Sequence, residues 1–194
     1  HSHEDTFSVY YHNTNGNATS VSKHTKDAVG IALHSPAITP LTNMNPGIRV
    51  LHVDPVTFEI MDYDQYYASI PTFDDLVESK ANHGPVWRKL YSAREAYGDF
   101  HASSQRNTYK AGVELDHARW PWNAPLNGTF WAAVTDEMEQ RPELVQTWAE
   151  YTSSMSPRAK QCTSKKCQEA VICYMRSGST NLGLKCNGDY SSFQ

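Results

Sequence analysis

Along Thr6 to His12 the chain alternates with a period of two: Phe7, Val9 and Tyr11 fall on one face, Thr6, Ser8 and Tyr10 on the other. That alternation, rich in aromatic and β-branched residues, predicts a half-buried strand. Asn13-Thr14-Asn15-Gly16-Asn17 is a dense turn signal and predicts a hairpin tip. The apolar run Val29 to His34 predicts a second strand, buried on both faces. Pro36 and Pro40 stop helix and ladder alike, which leaves Thr39 to Pro46 as an irregular loop. Two further alternating segments, Ile48 to Asp54 and Thr57 to Asp62, flank Pro55 and predict a second hairpin at the edge of a sheet. Tyr63, Tyr66 and Tyr67 follow it and read as a core margin, ring bodies buried and hydroxyls wet.

Beyond Pro71 the period changes. Thr72 can cap a short helix over Phe73 to Val77, with Asp74 and Asp75 in its first turn. Pro85 opens a predicted helix over Val86 to Tyr97, with Val86, Leu90, Ala93 and Tyr97 on one stripe and Gly98 past its end. Arg94 and Glu95 stand beside that stripe and read as a structural ion pair or backbone clamp. Thr108 to Ala118 reads as helical and ends at Trp120-Pro121-Trp122. Thr129 to Gln140 and Pro142 to Met155 predict two helices that turn Phe130, Trp131, Val134 and Met138, then Leu144, Val145, Trp148 and Tyr151, inward. The class is therefore α+β, strands first and helices after.

Composition narrows the function classes. At 194 residues and 39% hydrophobic the chain can bury an ordinary core. Its formal charge of -4 argues against a nucleic-acid surface, which needs a clustered basic face. No run approaches the ~20 apolar residues of a membrane-spanning helix. Cys162, Cys167, Cys173 and Cys186 lack paired Cys-x-x-Cys knuckles, so disulfides are expected rather than zinc, with three pairings open. Asn17-Ala18-Thr19 and Asn127-Gly128-Thr129 are acceptor sequons, so glycan is expected on Asn17 and Asn127. Cysteines and sequons together fit an oxidising, glycosylating compartment.

The candidate chemistry sits at the first residues, where His1-Ser2-His3 can turn two imidazoles from one loop towards one place. With Asn45-Pro46-Gly47-Ile48-Arg49-Val50, Leu90-Tyr91-Ser92-Ala93-Arg94-Glu95-Ala96-Tyr97-Gly98 and the four cysteines, the chain resembles the C-terminal part of the acid sphingomyelinases, members of the calcineurin-like metallophosphoesterases. The resemblance implies that residues 1 to 70 are the last strands of a metallophosphoesterase β-sandwich and residues 71 to 194 a disulfide-stapled helical subdomain. In that family a Gly-His-Thr-His loop closes a dinuclear zinc site, one histidine to each metal. His1 and His3 take those places here, with Ser2 where the family has threonine.

The resemblance further implies that Thr39 to Pro46 borders the substrate pocket, with Leu41 and Asn45 as its substrate-side residues, and that the disulfides pair Cys162 with Cys167 and Cys173 with Cys186. Family members can carry an aromatic residue near the headgroup where this chain has Leu41. The other metal ligands of the superfamily, in Asp-x-His, Gly-Asp and Gly-Asn-His-Glu stretches, lie upstream of the matching loop. The sequence thus reads as the tail of a secreted or lysosomal zinc phosphodiesterase that hydrolyses sphingomyelin at a membrane surface to ceramide and phosphocholine. On this reading it needs its upstream catalytic domain and is inactive alone. A phosphoesterase acting on polyphosphate or nucleotides, and a non-catalytic secreted binding module, are the alternatives.

Overall fold

A computed structural model describes residues 3–13, 23–40, 44–70, 85–100, 118–158, 161–183 and 185–186. Strand β1 (Thr6–Tyr11) buries Phe7, Val9 and Tyr11 and leaves Tyr10 exposed, as its alternation requires. It pairs antiparallel with β2 (Ala28–His34), Thr6 opposite His34 and Tyr10 opposite Gly30. Strand β2 is not buried on both faces: Val29 and His34 are exposed and the residues between only half-buried. Among the described residues it is covered chiefly by the helix that starts at Gly128, where an added Cβ would lie 2.9 Å from the Gly30 nitrogen. A continuous apolar run is compatible with one covered face as well as with two.

A three-stranded antiparallel sheet is ordered β3 (Gly47–Val53), β4 (Ile60–Tyr67) and β5 (Arg88–Ser92). The hairpin around Pro55 is present, but its second strand starts three residues later than the alternation suggests. Asp54 is the cause. Its Oδ1 accepts the Val56 and Thr57 N–H groups at 2.8 Å each, and its backbone closes on Phe58 and Glu59, so residues 54 to 59 belong to the turn. The three tyrosines consequently sit within β4, where Tyr63 is buried.

The expected helix over Val86 to Tyr97 is corrected to a strand, β5, followed by a short helix α1 (Ala93–Tyr97). Leu90, Ala93 and Tyr97 do point inward, but the segment between Arg88 and Ser92 pairs with β4, Tyr91 opposite Gln65. A non-local ladder here overrides the helical spacing. Helix α1 ends where Gly98 donates its N–H to the Arg94 carbonyl at 2.9 Å. Arg94 is the backbone clamp the sequence suggested, its guanidinium donating to the carbonyls of Met61, Trp120, Pro121 and Ala124. This ties the base of β4 to the Trp120 loop, beyond the short pair β6 (Asp99–Phe100) and β7 (Ala118–Arg119). The expected helices at Phe73 to Val77 and Thr108 to Ala118 lie outside the described residues, apart from Ala118, which falls in β7.

Helix α2 (Gly128–Gln140) is central, with Phe130 through Val134 buried all round, and Asn127 caps it by accepting the Phe130 N–H at 3.2 Å. Trp131 packs on Phe7, Tyr97 and Phe130 at ring separations of 4.5, 5.6 and 5.0 Å, joining sheet and helices in one core. Helix α3 (Pro142–Thr152) opens on proline and buries Leu144, Val145, Trp148 and Ala149. Helix α4 (Lys165–Met175) is held by Cys162–Cys167 at one end and Cys173–Cys186 at the other, the latter reaching past the short α5 (Thr180–Gly183). Arg176 locks it to α2 through Asp136 and Glu139, at 2.6 and 2.5 Å. The two pairings are those the family resemblance implied, and no cysteine is free.

Candidate functional site

His3 has a φ of 61°, uncommon for a residue with a Cβ, and its carbonyl accepts the Ala37 N–H at 3.4 Å. Gly47 in turn donates to the Ala37 carbonyl at 2.9 Å, so Pro36 and Ala37 lie between the histidine loop and the start of β3. The end of α3 supports both from beneath. Asp5 donates its N–H to the Thr152 carbonyl and accepts the Thr152 hydroxyl, at 3.2 and 2.9 Å. Asn45 is buried, its Nδ2 donating to the Ser154 carbonyl at 3.0 Å and its Oδ1 accepting the Ile70 N–H at 3.1 Å. Ser154 and Met155 follow with φ of 53° and 57°, a turn that leaves these carbonyls facing the junction.

Gly47 explains the Asn-Pro-Gly stretch. A Cβ there would lie 2.7 Å from Pro36 Cγ and 3.0 Å from Ser154 Oγ, so only glycine lets the three segments meet. Gly47→Ala is expected to cost about 1–3 kcal/mol as an overpacked contact. Urea unfolding of the two chains checks this, and equal midpoints would show that the junction yields freely.

Two residues after His3, a buried ionic cluster fixes β1 to the sheet. Asp5 pairs with Arg49, the side chains 4% and 3% exposed. Tyr91 Oη donates to the second Asp5 oxygen at 2.5 Å, Arg49 Nε to Gln65 Oε1 at 3.3 Å, and the guanidinium lies 4.0 Å over the Tyr63 ring. Burial pushes the Asp5 carboxyl up, against the pull of Arg49 and the Tyr91 hydrogen bond. Burial alone would lower Arg49, but Asp5, Tyr63 and Tyr91 together more than offset it and hold the guanidinium above its ordinary value. Burial, with the Asp5 charge beside it, also raises Tyr63 and Tyr91. In sequence this cluster shows only as Arg49 between Ile48 and Val50, with nothing near Asp5 to mark its partner.

Of the residues singled out from sequence, His3 and Asn45 are thus brought to one junction, with both polar atoms of the Asn45 amide engaged by backbone. His1, Leu41 and Asn17 lie outside the described residues. Asn127 is exposed at the cap of α2. Among the described residues no three His, Cys, Asp or Glu side chains converge as a metal site. Of the two histidines that the resemblance assigns to the metals, His3 lies among the described residues. A cleft of about 200 Å³ opens beside the junction, walled by Glu150, Ser153, Met155 and Cys162. No helix among the described residues is long and apolar enough to cross a membrane.

No family model matches the chain. It is 31% identical over 190 residues to sphingomyelin phosphodiesterase 1 of Caenorhabditis elegans, covering 96% of this chain and 26% of that protein. Sphingomyelin phosphodiesterases B and A of Dictyostelium discoideum are each 26% identical, over 187 and 188 residues, which is 24% and 25% of their lengths. The chain spans about a quarter of the length of the curated relatives it matches, at their C-terminal part.

Proposed function

We infer, from a chain that belongs over nearly its whole length to the sphingomyelin phosphodiesterase family, that it forms the C-terminal part of an enzyme cleaving the phosphodiester of sphingomyelin to ceramide and phosphocholine. The likeness of nearly all of this chain to part of proteins of that name carries the reading. Its geometry supports it: the histidine loop and the Asn45 loop are held together by backbone hydrogen bonds and a buried ion pair. His1 and His3 would contribute one imidazole each to a zinc pair completed by upstream residues. Bound zinc supplies polarisation of the phosphoryl oxygens and an activated water. What this chain's own residues do is orient His3, through the Ala37 contact and the Asp5 anchor, and shape the wall beside it.

The two disulfides fit an extracellular or lumenal compartment. Secretion or delivery to a lysosome, with glycan on Asn127, extends that reading. Asn127 uses its Oδ1 to cap α2 while remaining exposed, and a mass shift on glycosidase treatment checks the modification. The function itself is tested with the longer protein that contains this chain, using labelled sphingomyelin with and without a chelator. Chelator-sensitive release of phosphocholine is expected. Hydrolysis confined to polyphosphate or nucleotides would overturn the substrate assignment.

A further inference from the structure

One stripe of α4, residues 165, 168, 169, 172 and 173 continued by 176, is spaced by threes and fours and lines a cavity of about 610 Å³. Its other wall is Met138 and Glu139 at the end of α2 and Pro142 at the start of α3, with Lys23 beside them. Met138 and Ile172 are buried and give the cavity an apolar floor. The charged groups around it are matched, with one exception. Arg176 is held by Asp136 and Glu139 at 2.6 and 2.5 Å, and Lys165 lies 3.7 Å from Glu169. Lys23 is half-buried with its Nζ 4.0 Å from Cys173 Sγ, and among the described residues no carboxylate bonds it. Burial, and after it the like charge of Arg176, push its ammonium below the ordinary value.

We propose that this cavity binds one medium-chain carboxylate, its head on Lys23 and its alkyl chain along Met138, Ile172 and the Cys173–Cys186 disulfide. A half-buried ammonium without a counter-charge is costly, and an entering anion removes that cost through a charge-assisted hydrogen bond. One unmatched cation selects a monoanion. A phosphomonoester would bring a second negative charge against Glu139 and Glu169 on the same walls, and a neutral ligand would leave the ammonium uncompensated. The volume falls in the range of sites that enclose small organic ligands, and the apolar floor lets each methylene add affinity. None of these residues belongs to the junction of His3 and Asn45, so the inference is independent of the sphingomyelinase reading.

Calorimetric titration with octanoate decides it, on the 194-residue chain and on the longer protein that contains it. Saturable binding is expected, with Lys23→Gln weakening it at least about tenfold through loss of the charge-assisted hydrogen bond. Octanol, and octyl phosphate at about pH 8 where it carries two charges, should each bind at least about tenfold more weakly than octanoate. Affinity should rise about twofold or more per methylene from butanoate to octanoate. Bound octanoate should also shield Lys23 from acetylation by acetic anhydride ahead of the other lysines, as peptide mass mapping reads. Lys23 holds no ion pair among the described residues, so its glutamine variant should unfold at the wild-type urea midpoint, which separates loss of binding from loss of fold. Absence of wild-type binding, equal binding by the variant, equal or tighter binding of octanol or octyl phosphate, affinity flat with chain length, or shielding of other lysines in place of Lys23 would each overturn the proposal. Binding by the isolated chain and none by the longer protein would overturn it as well, since the cavity would then be covered where the protein works.

Discussion

Replacing His1 or His3 by alanine in the longer protein is expected to lower sphingomyelin turnover about a hundredfold or more. If each imidazole serves a different metal, either substitution removes a ligand from a site that needs about three to four protein ligands per ion. Losing even ~3 kcal/mol of the charge stabilisation such a site supplies is a hundredfold in rate. Metal content should fall with activity, from two zinc ions per chain towards one or none, as read by elemental analysis. The isolated 194-residue chain, with no three ligands converging among its described residues, is expected to bind zinc weakly and to release no phosphocholine. Turnover by that chain alone would mean that the catalytic groups have been misplaced, and full activity and metal content in the histidine variants would remove His1 and His3 from the site.

Breaking the Asp5–Arg49 pair is expected to have the largest effect on stability. Both side chains are almost wholly buried, so Arg49→Ala or Asp5→Ala leaves a partner desolvated and uncompensated, a loss of about 3–5 kcal/mol. Urea unfolding monitored by tryptophan fluorescence measures it. The double variant D5L/R49M should recover much of the loss, because an apolar pair of similar volume strands no charge. Asp5 stands two residues from His3 and is bonded to Thr152, so the single variants should also reduce metal binding by the longer protein, which a purely global effect on unfolding would not do under native conditions. Single variants within 1 kcal/mol of the wild type would show that the pair is structurally dispensable.

What the sequence by itself determined were the features whose cause is local. The alternation of Phe7, Val9 and Tyr11 became the buried face of β1, because side chains two apart on a strand share a face. The runs after Asn127 and Arg141 became helices α2 and α3, the first capped by Asn127 and within one residue of expectation, the second opened by Pro142 as expected but ending three residues early, at Thr152. Arg94 was legible as a clamp, and the cysteines as disulfides, although their pairing came from the family resemblance and not from spacing.

The rest was decided by tertiary structure, because it depends on partners far along the chain. Residues 88 to 92 have spacing that suits a helix or a strand, and the free edge of β4 made them a strand. The apolar run of β2 did not reveal how many of its faces would be covered. Nothing near Asp5 in sequence announces Arg49, 44 positions away, nor that Tyr91 would close on the same carboxylate. Asn45 was chosen as a residue facing substrate, and the fold engages both ends of its amide with the backbone of Ser154 and Ile70. Periodicity reports which face of an element is apolar; which element that face meets, and which buried charge finds its counter-charge, are settled only when the strands and helices pack.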